Sequence, residues 1–282
     1  MRENNASRTA IVVAKSQVLV GSDPELKQQV NPEADQFTRT ALRTAGQHRF
    51  LDCLERPVLR NALWRLQNLT VPGLALHQVL RKRFIEERIL SALESGVAEV
   101  IQIGAGLDSL CFRLHKQWPA VRFREFDHPA TRALKRRTIQ LQGGAGDNLT
   151  MHSTDLCRVD SVAAFRDLVP DIPRIAIVEG VLMYLPPERI TGLLRSWRKH
   201  LGDRSRLLFT FLEGRGFREQ SPFVNGWLRL IGEPFQWQAQ RGALATLLRE
   251  AGWSGPSFNA TWLNNSMNHR IAEGEWIAET AC

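Results

Sequence analysis

The order of apolar and polar positions divides this chain into two regimes. Through the first hundred residues apolar side chains recur at helical intervals. Residues 6–20 form one such segment, with Ser7 placed to cap it. Residues 21–31 make a polar break, and residues 33–66 return to helical spacing punctuated by Pro57. Val71-Pro-Gly73 interrupts the chain again. Leu76, Leu80, Phe84, Ile85, Ile89 and Leu93 then repeat close to the helical period, and Gly96 is a helix stop. From residue 97 short apolar runs alternate with amphipathic stretches. This pattern predicts strands over 97–103, 121–126, 149–152, 174–178 and 205–212. It predicts helices over 109–116, 130–141 and 159–168, and one that follows Pro186-Pro187 and runs to 201. A helix over 243–251, ended by Gly252, and closing strands over 257–262 and 270–278 complete the reading. Alternating strands and helices imply an α/β fold with a doubly wound, mostly parallel sheet covered on both faces. The expected organisation is an N-terminal helical lid, residues 1–95, on an α/β core, residues 96–282.

Composition narrows the class of protein. The chain has 282 residues, 43% hydrophobic and 23% charged, which fits a soluble globular protein with a substantial core. The best candidate for a membrane span, residues 10–20, is short and interrupted by Lys15 and Ser16. Acids and amides surround it, and no small-residue cleavage site follows, so it does not read as a secretory signal. Cys53, Cys111, Cys157 and Cys282 are far apart in sequence, which gives no redox or zinc motif and no expected metal site. They read as reduced thiols of a cytoplasmic protein. The net charge of +8 would suit an anionic partner. However, the basic residues are scattered, and the clusters Arg81-Lys-Arg83 and Lys135-Arg-Arg137 lack interleaved aromatics. That argues against nucleic acid and for solvated helix faces.

The chemistry concentrates at four landmarks. First, the apolar run that begins at Val100 stops at Gly104-Ala105-Gly106, followed by Asp108. A turn without β-carbons lets the backbone bend sharply and approach a ligand. Second, Asp127 follows Gly106 by 21 residues at the end of the second predicted strand. Its carboxylate suits the paired hydroxyls of a ribose. As a helix cap it would compete with His128, which Pro129 favours for that place. Glu125, on the same strand face, is the second choice. Third, Asp155 follows the third strand and could accept from an adenine amino group, with Leu156 against the ring. Alternatively it is a turn acid, with Asp160 the better cap for the next helix. Fourth, Glu179 ends the apolar strand Ile175-Ala-Ile-Val178, where a carboxylate is costly unless paired or ligand-bound. A structural arginine such as Arg113 is the alternative partner.

Together, Ile103-Gly-Ala-Gly-Leu-Asp108, Glu125-Phe-Asp127-His-Pro129, Asp155-Leu156 and Glu179-Gly-Val-Leu-Met-Tyr-Leu185 resemble the leucine carboxyl methyltransferase family, which includes polyketide O-methyltransferases. The resemblance runs from about residue 9 to residue 188, and Arg81-Lys-Arg-Phe-Ile-Glu-Glu87 matches the family's basic-aromatic-acidic helix segment. It departs at Leu110, where an arginine is usual, and at Glu86-Glu87, where an Asp pair is usual. The resemblance implies a class I, Rossmann-like methyltransferase that uses S-adenosyl-L-methionine. Gly104, Ala105 and Gly106 would lie against its methionyl part, Asp127 at the ribose, and Asp155 and Leu156 at the adenine. Glu179 would face the amino-acid part, and Arg81 would hold the carboxylate. Arg83 competes with Arg81 for that role, and a solvated helix face is Arg81's alternative. Tyr184, the chain's one tyrosine, stands where a substrate would approach or where it would pack in the core.

The expected reaction is methyl transfer to a carboxyl or hydroxyl oxygen of a small molecule, such as a secondary metabolite. A carboxylate needs no base, and none of His48, His77, His115, His128, His152, His200 or His269 is singled out as one. Two other readings were weighed. A nicotinamide-dependent oxidoreductase would want glycine or alanine at Ser109 and leaves Asp155 and Glu179 without a role. A non-catalytic cofactor-binding protein would keep the fold without turnover. Phe50, Trp64, Trp237 and Trp262 would either line an apolar pocket or fill the core.

Overall fold

The computed structural model describes residues 6–157, 165, 168, 171–214, 226, 228–230, 232–260, 272 and 274–282. Ser7 opens the first helix as the pattern predicts, its hydroxyl accepting the Ala10 amide at 3.1 Å. Helix α1 (Arg8–Gly21) leads to α2 (Pro32–Thr44), which Asn31 caps through the amides of Glu33 and Ala34. The helical stretch expected over 33–66 is three helices. After α2 come α3 (His48–Glu55) and α4 (Pro57–Thr70), because Pro57 starts a new helix at its first position instead of bending an old one. Helix α5 (Leu74–Glu94) follows Gly73, whose φ of 76° ends the preceding turn.

Among the described residues the α/β part has seven strands in one sheet. These are β1 (Glu99–Ile103), β2 (Arg122–Asp127), β3 (Leu149–Ser153), β4 (Arg174–Val178), β5 (Ser205–Leu212), β6 (Ser254–Asn259) and β7 (Glu275–Ala281). Their order across the sheet is β3-β2-β1-β4-β5-β7-β6. Strands β1 to β5 are parallel, and β7 runs antiparallel to both β5 and β6. Helices α6 (Leu110–Gln117), α7 (Pro129–Leu141), α8 (Pro187–Leu201) and α9 (Arg241–Glu250) connect and cover them. Strand β6 begins earlier than the pattern suggests. Gly255 and Pro256 look like loop, but an edge strand tolerates both. The predicted helix over 159–168, with Asp160, and the position of Trp262 fall among residues outside those described.

Strands β1 and β4 are buried along their whole length, which is why both read as unbroken apolar runs. Side-chain alternation sends Val100 and Ile175 to one face and Ile101 and Ile103 to the other. On the first face they meet Ile85, Ile89 and Ala92 of α5. On the second they meet Leu194 and Trp197 of α8 and Leu244 and Leu248 of α9. The core is therefore continuous across residue 95, where the sequence changes from helical to alternating character, because α5 is one of the sheet's covering helices. Among the described residues no helix is long and apolar enough to cross a membrane. The chain leaves β1 toward β2 and β3 on one side, while β4 and β5 lie on the other. That reversal opens a crevice at the carboxyl ends of the strands, the usual ligand position in open α/β sheets.

Candidate active site

One cleft of about 1280 Å³, counted out to its open mouth, fills that crevice. Arg81, Gly104, Ala105, Gly106, Asp127, Asp155, Leu156, Glu179 and Tyr184 all line it. Residues spread over a hundred positions meet because each follows a strand end or lies on α5. Gly104 has φ 72°, and a β-carbon there would lie 2.3 Å from Cγ2 of Val181. Gly106 has φ 53°. The turn's amides are already engaged. Gly104 N–H donates to the Phe126 carbonyl at 2.7 Å, and Gly106 N–H donates to Asp127 Oδ2 at 2.5 Å. The other Asp127 oxygen accepts the His128 amide at 2.6 Å. These bonds fix the Asp127 carboxyl at the strand end. Burial raises its pKa, and the two amides pull the other way. His128 takes the cap position of α7, leaving Asp127 outside it. Asp155 accepts the Cys157 amide at 3.0 Å in a local turn and also lines the cleft.

The floor of the cleft is a chain of alternating charges. Arg81 is only 4% exposed, so it is not on a solvated helix face. Its Nε and Nη2 donate to Glu179 Oε1 at 3.0 and 2.7 Å, and its Nη1 donates to both oxygens of Glu275 at 2.8 Å. Glu275 also meets Nε2 of the fully buried His77 at 2.6 Å. Lys82 Nζ donates to Asp108 Oδ2 at 2.8 Å and to Glu179 Oε2 at 3.3 Å. Glu179 thus pairs with Arg81 and Lys82. It does not pair with Arg113, which forks onto Glu86 through two 2.6 Å bonds. Arg83 is exposed and pairs with Glu87 at 3.2 Å, away from the cleft, which removes it as Arg81's competitor. Burial alone would raise the Asp108 pKa, but Lys82 and Lys135 outweigh it and hold the carboxyl well below its ordinary range. For Glu275, burial is outweighed by Arg81 and His77, and the pKa falls to about 2. Burial would lower Lys82, yet Asp108 and Glu179 leave it raised. Glu125, the second choice for the ribose, does not line the cleft. It is buried beneath the turn, 2.8 Å from Lys135 Nζ.

Sequence reasoning missed Lys82, Asp108, His77, Glu275 and Glu233 as parts of this site. Lys82 and Asp108 lie inside the basic helix segment and the glycine motif, where no role was assigned to them, whereas the other three give no local signal. Glu233 accepts the Ser7 hydroxyl at 3.1 Å and the Arg8 and Thr9 amides at 3.0 Å each. A carboxylate at a helix N-terminus complements the exposed amides and the dipole there. It ties the start of α1 to the segment around Glu233, and both line the cleft. Phe50 and Trp64 pack among the N-terminal helices, and Trp237 packs in the core under α9, so none of the three lines the cleft. The Tyr184 ring packs on Phe235 at 5.3 Å between centroids, and burial raises its phenol well above the ordinary pKa. Among the described residues His128 is the one histidine lining the cleft.

The strand order, the cleft at the switch point and the acids at successive strand ends define a class I methyltransferase fold. A DUF574-family protein from Streptomyces avermitilis MA-4680 has the same fold, with a TM-score of 0.60 at 14% identity, covering 98% of this chain and 97% of that one. The crystal structure of a protein from Thermobifida fusca YX, provisionally named a methyltransferase, gives 0.59 at 15% identity over 79% and 88% of the two chains. The profile of the leucine carboxyl methyltransferase family matches residues 10–197, and the chain belongs to that family. A protein of Parafrankia sp. (strain EAN1pec), provisionally named an S-adenosyl-L-methionine-dependent methyltransferase, is 30% identical over 201 residues, 68% of this chain. The match spans 62% of that relative's length, and 61% and 60% of two mycobacterial relatives.

Proposed function

We propose that the chain transfers a methyl group from S-adenosyl-L-methionine to a carboxyl or hydroxyl oxygen of a small molecule. The observation that carries the cofactor is the charge of the cleft. Among the described residues five carboxylates, Asp108, Asp127, Asp155, Glu179 and Glu233, line it against two cations, Arg81 and Lys82. A sulfonium and an ammonium against one carboxylate leave the cofactor with a net positive charge, which this lining complements. The pyrophosphate of a nicotinamide dinucleotide would meet excess negative charge. It would also find the Gly104 and Gly106 amides already donating within the protein. This disfavours the oxidoreductase reading.

Arg81 would hold the cofactor's carboxylate and Glu179 its ammonium. Asp127 would take the ribose hydroxyls with its remaining lone pairs, and Asp155 with Leu156 the adenine. When bound, the cofactor supplies a methyl group on positive sulfur, open to in-line attack by oxygen. An anionic oxygen meeting a cation loses charge on the way, so the protein needs no oxyanion hole and contributes alignment and a dry site. The α1–Glu233 clasp makes both segments part of the cleft lining, a setting that suits a small acceptor. Tyr184 keeps its proton at neutral pH and can donate a hydrogen bond to the acceptor, but cannot serve as its base. The thiols of Cys53, Cys111, Cys157 and Cys282 are unpaired, which suits a reducing cytoplasm. The family's polyketide-modifying members make a secondary metabolite the acceptor to test first.

Calorimetry with S-adenosylhomocysteine and with NAD⁺ tests the cofactor. The expected result is binding of the first alone, and binding of the second alone overturns the reading. Methyl-labelled cofactor with a panel of phenols and carboxylic acids tests the transfer. Label lost to mild alkali marks an ester, and stable label marks an ether. Tight cofactor binding with no transfer across the panel would favour the non-catalytic reading.

A further inference from the structure

We propose that Glu275, backed by His77, is a positioning residue for Arg81 and through it for the amino-acid end of the bound nucleoside. The proposal rests on the cofactor reading above. Arg81 lies between two carboxylates that differ in one respect: Glu179 lines the cleft, and Glu275 does not. Glu275 is 2% exposed and sits behind the guanidinium, with both its oxygens 2.8 Å from Nη1. The opposite edge, Nε and Nη2, faces Glu179. A guanidinium is a rigid plane, so gripping one corner fixes where the other edge points.

The pairing has a consequence for binding. An α-amino-acid group carries a carboxylate that matches Arg81 and an ammonium that matches Glu179. Engaging both requires Glu179 to give up part of its hold on Arg81. Glu275 is then the partner that stays, and it keeps a buried guanidinium both paired and oriented while its cleft edge changes partner. Without it, Arg81 would be nearly fully buried with its one remaining carboxylate drawn toward the ligand, an arrangement that costs desolvation and orientation together.

Glu275 is itself held in place. It is the first residue of β7 and pairs in register with Leu212 of β5. His77 Nδ1 lies 2.7 Å from the Ala272 carbonyl, so the buried ring is held at that nitrogen. Its other nitrogen, Nε2, lies 2.6 Å from Glu275 Oε2, so the ring ties the Glu275 carboxylate to the segment at Ala272. The strand that closes the sheet thus delivers a charge to the site from beyond residue 197, where the family match ends.

Two ligands separate positioning from general stability: S-adenosylhomocysteine, and 5′-methylthioadenosine, which keeps the nucleoside and lacks the amino acid. Calorimetry on Glu275→Gln is expected to show S-adenosylhomocysteine weakened about tenfold or more, the scale of a hydrogen bond to a charged group. Methylthioadenosine should stay within about twofold, because Glu275 acts only at the amino-acid end. His77→Gln, which leaves both carboxylate–guanidinium bonds, should shift the same ratio in the same direction by less. If both ligands weaken together, or neither does, Glu275 is structural and the proposal is overturned. If the wild-type chain binds neither ligand, the cofactor reading fails first. If it binds both equally, the nucleoside reading stands and the amino-acid role of Arg81 and Glu275 falls. Should Glu275→Gln not fold, by its circular dichroism melt, Glu275→Asp keeps the charge one methylene short and is read by the same ratio.

Discussion

Gly104→Ala tests the glycine turn without any assumption about function. The new β-carbon would lie 2.3 Å from Val181 Cγ2, inside any real contact, while Val181 Cβ would be 3.5 Å away, an ordinary distance. Two costs follow. Holding alanine at φ 72° costs about 1–2 kcal/mol. Relieving the clash costs about 1–3 kcal/mol more, as in an overpacked site. The sum, about 2–5 kcal/mol, should lower Tm by roughly 3–8 °C in a chain of 282 residues. Val181→Ala removes the offending methyl, so in that background Gly104→Ala should cost only the backbone part, about 1–2 kcal/mol. A double-mutant cycle in urea, followed by tryptophan fluorescence, should therefore show a coupling of about 1–3 kcal/mol. Equal costs in the two backgrounds would refute the clash and leave backbone conformation as the sole demand for glycine.

Other outcomes follow from the same geometry. Asp127→Ala should weaken S-adenosylhomocysteine by about 1.5–3 kcal/mol in calorimetry, the worth of a hydrogen bond to a charged group, and unchanged affinity removes Asp127 from the site. Glu275, held at about 2 against an ordinary 4.5, contributes stability that is full above its unfolded value and is lost as pH falls toward its folded value. The stability gap between wild type and Glu275→Gln should therefore narrow from about pH 5 to about pH 2.5, and a constant gap in denaturant titrations contradicts this. Lys135→Met leaves Glu125 buried without its 2.8 Å partner and should cost about 3–5 kcal/mol. Adding Glu125→Leu should recover most of that loss, and no recovery in the denaturant midpoint would show that the pair is not the source.

Much of the site was legible because strand ends announce themselves. Gly104 and Glu179 terminate apolar runs, Asp127 and Asp155 stand at the ends of predicted strands, and parallel strands bring such positions to one edge of a sheet. Arg81 was legible only through the family's helix segment. Its burial and pairing depend on how α5 lies against the sheet, and no local spacing records that. Glu233 and Ser7 are 226 residues apart, and neither neighbourhood hints at the other. Sequence left Trp64 and Phe50 open between pocket and core, because an aromatic on a helix reads the same whether its face meets a ligand or another helix; they pack against the core.

The sequence by itself determined the parallel core, the turn at Gly104 and the acids that follow three strands, because periodicity and chain punctuation are local properties. Tertiary structure alone decided which charge meets which. It gave Glu179 to Arg81 and Lys82 instead of Arg113, brought Glu275 behind Arg81, and drew α1 to Glu233. An ion pair depends on distance and burial, and both are set by how distant segments pack.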